Sequence, residues 1–174
     1  MASFSTDRFI EQFLAVQAQV YGYIATLVPN RADADDLFQQ TALVLWRKHR
    51  QFDPSREFLP WALGIARNEV RRFFRSHSSR GTHLSDAMME KLAELHYASV
   101  SKSAPSFQRL AECMAQLTAD QRGLIEQCYL GVDSIKAIAE KQHLDPATLY
   151  KRLDRIRWTL MDCIENAERR EVQR

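Results

Sequence analysis

Residues 134–157 read SIKAIAEKQHLDPATLYKRLDRIR, and this stretch decides the fold. Ser134 is placed to cap a short helix through Lys141, with Ile135, Ile138 and Ala139 inward. A turn of about four residues follows. Asp145-Pro146 then starts a longer helix, an N-cap acid followed by proline at the first helical position. Leu149, Leu153, Ile156, Leu160 and Ile164 recur at helical spacing and form its inward stripe. Two helices of unequal length joined this way have the form of a helix-turn-helix, whose second helix lies in the major groove. The stripe assigns Thr148, Tyr150, Lys151, Asp154, Arg155 and Trp158 to the opposite face, toward solvent or DNA. Lysine and arginine there suit guanine acceptors or phosphate, and Asp154 suits the cytosine amine. Arg152 and Arg157 flank that face and are placed to hold phosphate. An ordinary solvated helix would carry similar residues, so the two marked helix starts matter more than the charges.

Working outward, the pattern stays helical. Phe107 to about Leu117 reads as one helix. Thr118-Ala-Asp-Gln121 has the form of a capping box for the next, which runs to about Tyr129 and stops at Gly131. Near the N-terminus, Phe9, Phe13, Val16, Val20, Ile24 and Leu27 form an apolar stripe that ends at Pro29-Asn30. A second helix starts near Asp33 and runs to about His49, its early acids suiting the positive end of the helix dipole. Leu37, Phe38, Thr41, Val44, Leu45 and Trp46 face inward. A loop from Gln51 to Glu57 leads to a third helix, about Phe58 to Ser76, with Phe58, Trp61, Ala62, Ile65 and Phe73 on its core side and Phe74 off the stripe. No strand alternation occurs, so the fold class expected is all-α.

The polar, basic run from Ser76 to Gly81 reads as a hinge, and Ala98 to Ser106 holds four serines and Pro105. Between them, Leu84 to His96 reads as an amphipathic helix through Met88, Leu92 and Leu95. The chain thus divides into a helical domain over 1–78, a linker carrying one helix over 79–106, and a second helical domain over 107–174. The two lobes are expected to fold separately.

Composition narrows the function classes. A net charge of +2 does not by itself mark a nucleic-acid binder, but the signs are separated. Arg71, Arg72, Arg75 and Arg80 fall in a stretch with no acid, whereas Asp33, Asp35 and Asp36 cluster. Such a chain offers one face to phosphate and another to a basic protein surface. No run of about 18 apolar residues exists, and the first ten residues do not form a secretory signal. A cytoplasmic location follows as an expectation. Cys113, Cys128 and Cys163 are widely spaced, without CxxC, and are expected to be buried reduced thiols. No metal-ligand spacing, glycine-rich phosphate loop or nucleophile–base pair appears, so the expectation is a non-enzyme without metal or cofactor.

The third helix interleaves Phe58, Trp61, Phe73 and Phe74 with Arg67, Asn68, Arg71, Arg72 and Arg75. Basic groups that track phosphates beside rings that stack on bases suit single-stranded nucleic acid. Core packing is the favoured account of Phe58, Trp61 and Phe73, which fall at helical spacing on the core side, and Phe74 is the ring that packing explains least.

Three blocks together resemble a known family. The string Asp33-Ala-Asp-Asp-Leu-Phe-Gln-Gln-Thr41, with Trp46 beyond it, resembles the polymerase-docking region of extracytoplasmic-function (ECF) sigma factors of the sigma-70 family. Phe58-Leu-Pro-Trp61-Ala-Leu-Gly-Ile65-Ala-Arg-Asn68 is similar to their minus-ten segment, and Ile138-Ala-Glu through Thr148-Leu-Tyr-Lys-Arg152-Leu to their minus-thirty-five reader. The order and separation agree. The strings Tyr21-Gly-Tyr-Ile and Val28-Pro-Asn-Arg-Ala-Asp also look like one ECF subgroup. Three departures stand out: Gln40 replaces the usual glutamate, His143 the usual turn glycine, and Ala147 a small glycine.

The resemblance implies roles. Asp33, Asp36, Leu37, Gln39, Gln40 and Thr41 would meet the clamp helices of the polymerase beta-prime subunit, and the C-terminal domain the beta flap. Asn68, with the Phe52 to Glu57 loop that includes Arg56, would receive an unstacked minus-ten base. Arg67, Arg71, Arg72 and Arg75 would hold backbone around the melted segment. Thr148, Tyr150, Lys151, Arg152, Asp154 and Arg155 would read the minus-thirty-five element. Promoter DNA and core RNA polymerase are the implied partners; many members of the family are also held by an anti-sigma factor. A free-standing helix-turn-helix regulator is the alternative, but it leaves the acidic block and the arginine-rich helix without a task.

Overall fold

The computed structural model describes residues 5–77, 85–101 and 107–172. Regular structure among them is entirely helical, with eight α-helices. The hinge stretch 78–84 and the serine-rich stretch 102–106 lie outside the described residues.

Helix α1 (Thr6–Leu27) is capped by Ser5, whose hydroxyl accepts from the Arg8 amide. Val20, Tyr23, Ile24 and Leu27 are fully buried, each side chain contributing about 1.5–3 kcal/mol of burial. Pro29 separates it from α2 (Arg31–Lys48), where the Asn30 side chain accepts from the Asp33 amide. That cap starts α2 two residues before the expected Asp33. Ala34, Leu37, Thr41 and Leu45 form its buried stripe. Trp46, expected inward, is 42% exposed and stacks on His49. A single 3-10 turn (His49–Gln51) then delivers Phe52 into the core.

Helix α3 (Phe58–His77) buries Phe58, Leu59, Ala62, Leu63, Ala66, Val70 and Phe74. The expected stripe was rotated from this one. Trp61, Ile65 and Phe73 are only half-buried, whereas Phe74, expected off the stripe, is 3% exposed. Helices α1, α2 and α3 pack on one another as a three-helix unit.

Helix α4 (Asp86–Ser101) packs back on α1 and α3. Ser85 caps it, its hydroxyl accepting from the Met88 amide at 3.1 Å. Met88, Met89 and Leu92 are buried, while Leu95, expected inward, is exposed. The buried Tyr23 hydroxyl donates to the Met89 carbonyl at 3.2 Å. Gly22 permits the close approach: a Cβ there would lie 3.0 Å from His96 Cε1.

The C-terminal unit comprises α5 (Phe107–Ala115), α6 (Ala119–Ile125), α7 (Ile135–Lys141) and α8 (Pro146–Val172). Thr118 and Gln121 form the expected capping box of α6. Helix α6 gives way to a π turn (Glu126–Leu130), stopped at Gly131, where a Cβ would lie 2.3 Å from the Gln127 carbonyl oxygen. Ser134 caps α7, and the Asp145 carboxylate accepts from the Ala147 amide at the start of α8. His143 takes φ 55° in the turn between them, the left-handed conformation the turn requires. One expectation is overturned here. Cys113 and Cys163 are joined in a disulfide linking α5 to α8, because the two helices pack side by side and bring their Cα atoms within 5.9 Å. Cys128 remains a free, buried thiol, and burial pushes its pKa up to about 11. Buried residues from both halves join in one apolar cluster.

Candidate nucleic-acid interface

Helix α2 presents Asp36, Gln39 and Gln40 to solvent, with Asp33 half-buried beside them. Asp33, Asp36 and Gln40 line a groove of about 300 Å³ whose far wall is Glu69, Arg72, Phe73 and Ser76 of α3. Leu37 and Thr41 are placed differently from a contact surface. Leu37 is 3% exposed and Thr41 fully buried, its hydroxyl donating to the Leu37 carbonyl at 2.8 Å. Helical spacing puts them on the inward stripe, so they hold the acidic and amide face in position from beneath. Asp35 is engaged within the molecule. It accepts from the Tyr21 hydroxyl at 2.8 Å, which raises the Tyr21 pKa, and it lies 4.0 Å from Arg31.

The α3 residues divide into covered and open groups. Phe52 is 6% exposed and wedged against Phe58 and Trp61, with ring centroids 5.3 and 5.0 Å away. It is therefore a packing residue that anchors the loop rather than a ring offered to a base. The loop beyond it is ordered by Asp53, which accepts from the Ser55 amide and hydroxyl. These bonds hold the Asp53 carboxyl below its ordinary pKa. Arg56 is exposed and lies 3.6 Å from Asp53. Asn68, Arg72 and Arg75 are exposed along α3. Arg67 and Arg71 meet acids of α4 instead: Arg67 pairs with Glu90, and Arg71 Nε and Nη2 donate to Asp86 Oδ1 at 2.9 and 2.7 Å. Both arginines and both acids are spaced by four residues, and the pairs run in reverse order, as antiparallel helices require. The sequence reading passed over Asp86 and Glu90, although this matched spacing was visible.

On α8, Lys151, Arg152 and Arg155 are exposed and Thr148 is half-buried. Arg152 and Arg155 lie along a groove shared with α6 and with Gln142. Of two others expected on the same open face, Tyr150 is buried and Asp154 half-buried. Tyr150 is 9% exposed and meets Phe74 edge-on, at a centroid distance of 4.8 Å. Its burial raises the phenol pKa. Asp154 accepts hydrogen bonds from the Ser85 side chain and amide, yet desolvation raises its carboxyl pKa overall. Arg157, expected to flank the DNA face, is 5% exposed. The reason in each case is that α8 is buried on two sides, by its own unit and by the N-terminal helices. Among the described residues no group of three or more possible metal ligands occurs, and no helix is long and apolar enough to cross a membrane.

Residues 13–80 match the family described as Sigma-70 region 2. The RNA polymerase sigma factor CarQ of Myxococcus xanthus is 32% identical over 117 residues, which cover 67% of this chain and 66% of CarQ, just under two thirds of that protein. The ECF RNA polymerase sigma factor RpoE of Cereibacter sphaeroides is 29% identical over 154 residues, covering 86% of this chain and 84% of the relative. A solved structure of the sigma factor RpoE with the anti-sigma factor NepR from Bartonella quintana aligns over 92% of this chain and 98% of that one, at 19% identity and a TM-score of 0.42. Residues 13–80 thus match Sigma-70 region 2, and the chain is similar over 67–86% of its length to RNA polymerase sigma factors, one of them of the ECF class.

Proposed function

We propose that the chain binds core RNA polymerase through the exposed face of α2 and directs it to promoters through α3 and α8. Asp36, Gln39 and Gln40, with Asp33, meet the beta-prime clamp helices, while Leu37 and Thr41 support them from the core. Asn68 and the loop carrying Arg56 receive an unstacked base of the minus-ten element. Arg67, Arg71, Arg72 and Arg75 hold the backbone around it, and Phe52 fixes the loop. Lys151, Arg152 and Arg155, with Thr148, Tyr150 and Asp154, read the minus-thirty-five element in the major groove. The C-terminal unit meets the beta flap. The chain itself makes and breaks no covalent bond; capturing exposed bases offsets the few kcal/mol that unstacking costs.

The observation that carries this reading is the division of surfaces within one small chain. An acidic and amide face on α2, facing Arg72 across a shared groove, is distinct from the cationic face that Lys151, Arg152 and Arg155 form on α8. A regulator that bound duplex DNA alone would need only the last. Run-off transcription with core polymerase and a promoter library tests the reading. Promoter-dependent transcripts that need this chain are expected; failure to co-purify with core polymerase, together with no transcript, would overturn it.

A further inference from the structure

Packing and turn geometry account for two of the glycines among the described residues. A Cβ on Gly22 would meet His96, and one on Gly131 would meet the Gln127 carbonyl. Gly64 is different. It stands in the interior of α3, and a Cβ there would have no neighbour within 4 Å among the described residues. Only proline suits a helix interior less than glycine, which loses the most backbone freedom when fixed. Alanine at this position would fit without strain and would favour the helix. Stability therefore gives no account of Gly64.

Its place on the helix does. Gly64, Asn68, Arg71 and Arg75 recur at spacings of 4, 3 and 4, on the face opposite the buried Ala62, Ala66 and Val70. Trp61, half-buried, borders Gly64 on one side. The exposed Asn68 stands one turn on, about 6 Å along the axis. Between Trp61 and Asn68 the one charged residue is Arg67, and it is paired with Glu90 of α4. The exposed Arg72 and Arg75 lie farther along. Helix α3 thus offers a bare, uncharged patch of backbone with an amide at its edge and cations beyond.

We propose that Gly64 is the seat of an unpaired base of the melted promoter strand, which lies flat on the helix backbone with its edge toward Asn68. This seat rests on the reading of α3 as the minus-ten helix, and adds the residue that sets how closely the strand approaches. A flat ring packs against a Cα that carries no side chain, and a Cβ would hold it off. The lack of charge at the seat favours a base over a phosphate, and the arginines beyond suit the phosphates that follow.

The test uses the full chain bound to core polymerase, with single-stranded DNA of random sequence as the probe and core polymerase alone as the background. Circular dichroism of the free chain follows folding. Gly64→Ala should raise the melting temperature by a few degrees yet weaken retention of the pool about threefold; Gly64→Leu, longer but still helix-favouring, should weaken it about tenfold or more. Neither variant removes a cation, so the slope of log affinity against log salt should stay as in wild type, whereas Arg75→Ala should flatten it. Gly123 on α6 is equally open, so Gly123→Ala supplies the same gain in helix propensity and should leave retention unchanged. Folded Gly64 variants with wild-type retention would overturn the seat, the reading of α3 surviving if Arg75→Ala still weakens retention. A changed salt slope in Gly64→Ala would also overturn it, by assigning the glycine to phosphate contacts. If Arg75→Ala too retained the pool normally, or the wild type retained none, the reading of α3 would fail and the seat with it.

Discussion

Arg71 of α3 and Asp86 of α4 form a two-bond ion pair, with Nε and Nη2 both donating to one carboxylate oxygen. One turn away Arg67 and Glu90 repeat the pairing. Helix α4 thus sets carboxylates where the proposed function sets phosphates. Asp86→Asn with Glu90→Gln should raise affinity for single-stranded DNA by about twofold to thirtyfold, since such pairs contribute about 0.2–1 kcal/mol each. The slope of log affinity against log salt should steepen by up to about two contacts. Equal affinity and slope in the double variant would mean that these arginines do not meet DNA.

The α2 face offers a sharper separation between fold and function. Asp36 is exposed, and charge swaps at exposed sites rarely move stability by more than about 0.5 kcal/mol. Asp36→Arg should therefore leave the melting temperature near wild type and lower core-polymerase affinity about tenfold or more, as loss and reversal of a charge contact predict. A competition assay showing unchanged affinity would remove Asp36 from the docking face.

Base reading and backbone holding should respond differently to truncation. Arg155 is exposed on α8, and Arg75 on α3. Arg155→Ala should lower cognate transcription and relax preference at one or two upstream base pairs, by about 1–3 kcal/mol of discrimination. Arg75→Ala should weaken opening at every promoter with little change of preference. Transcription from a randomised upstream element, with permanganate footprinting of the melted region, measures both. An unchanged preferred sequence for Arg155→Ala would contradict its role.

The docking of α4 should depend on pH through His96. Its ring is packed edge-on against Tyr23 and beneath Gly22, and burial lowers its pKa from 6.5. The folded state thus holds this proton less tightly than the unfolded chain. Between the lowered value and 6.5 the unfolded state binds more protons, so stability rises with pH there. The His96 contribution is complete above 6.5 and is lost as pH falls below it. Denaturant unfolding at about pH 7.5 and about pH 5.5 should show that loss. His96→Gln should flatten the slope across this window; an unchanged slope would assign it to other groups.

How much was legible in the sequence follows from how local each signal is. The capping box at Thr118, the Ser134 cap and the Asp145-Pro146 start all act within one turn of chain, and each stands where the residues placed it. The left-handed turn at His143 was legible only through the resemblance, which sets a glycine at that position. The second face of α8 was not. Helical spacing shows that Leu149, Leu153 and Ile156 face inward, but Tyr150 and Arg157 are polar enough to read as surface. Their burial depends on α1 and α3, more than seventy residues away in sequence. Phe74 was misplaced for the matching reason, since its partner is Tyr150. The candidate site was legible in its exposed cations, whereas the α4 acids that oppose two of them are recognisable only once α3 and α4 are known to be antiparallel.

The Cys113–Cys163 bond gives the C-terminal unit a covalent topology as well as a packed one. A sequence separation of 50 closes a ring that contains all of α6 and α7, the three connections from α5 to α8 and the first two thirds of α8. A single backbone cut anywhere in that ring, including the His143 turn, leaves the two pieces tethered. The cut protein should migrate as one species until a thiol reagent is added and as two afterward. The helix-turn-helix can thus survive a nick that would sever an open chain, and its vulnerability to proteases is set by the redox state around it.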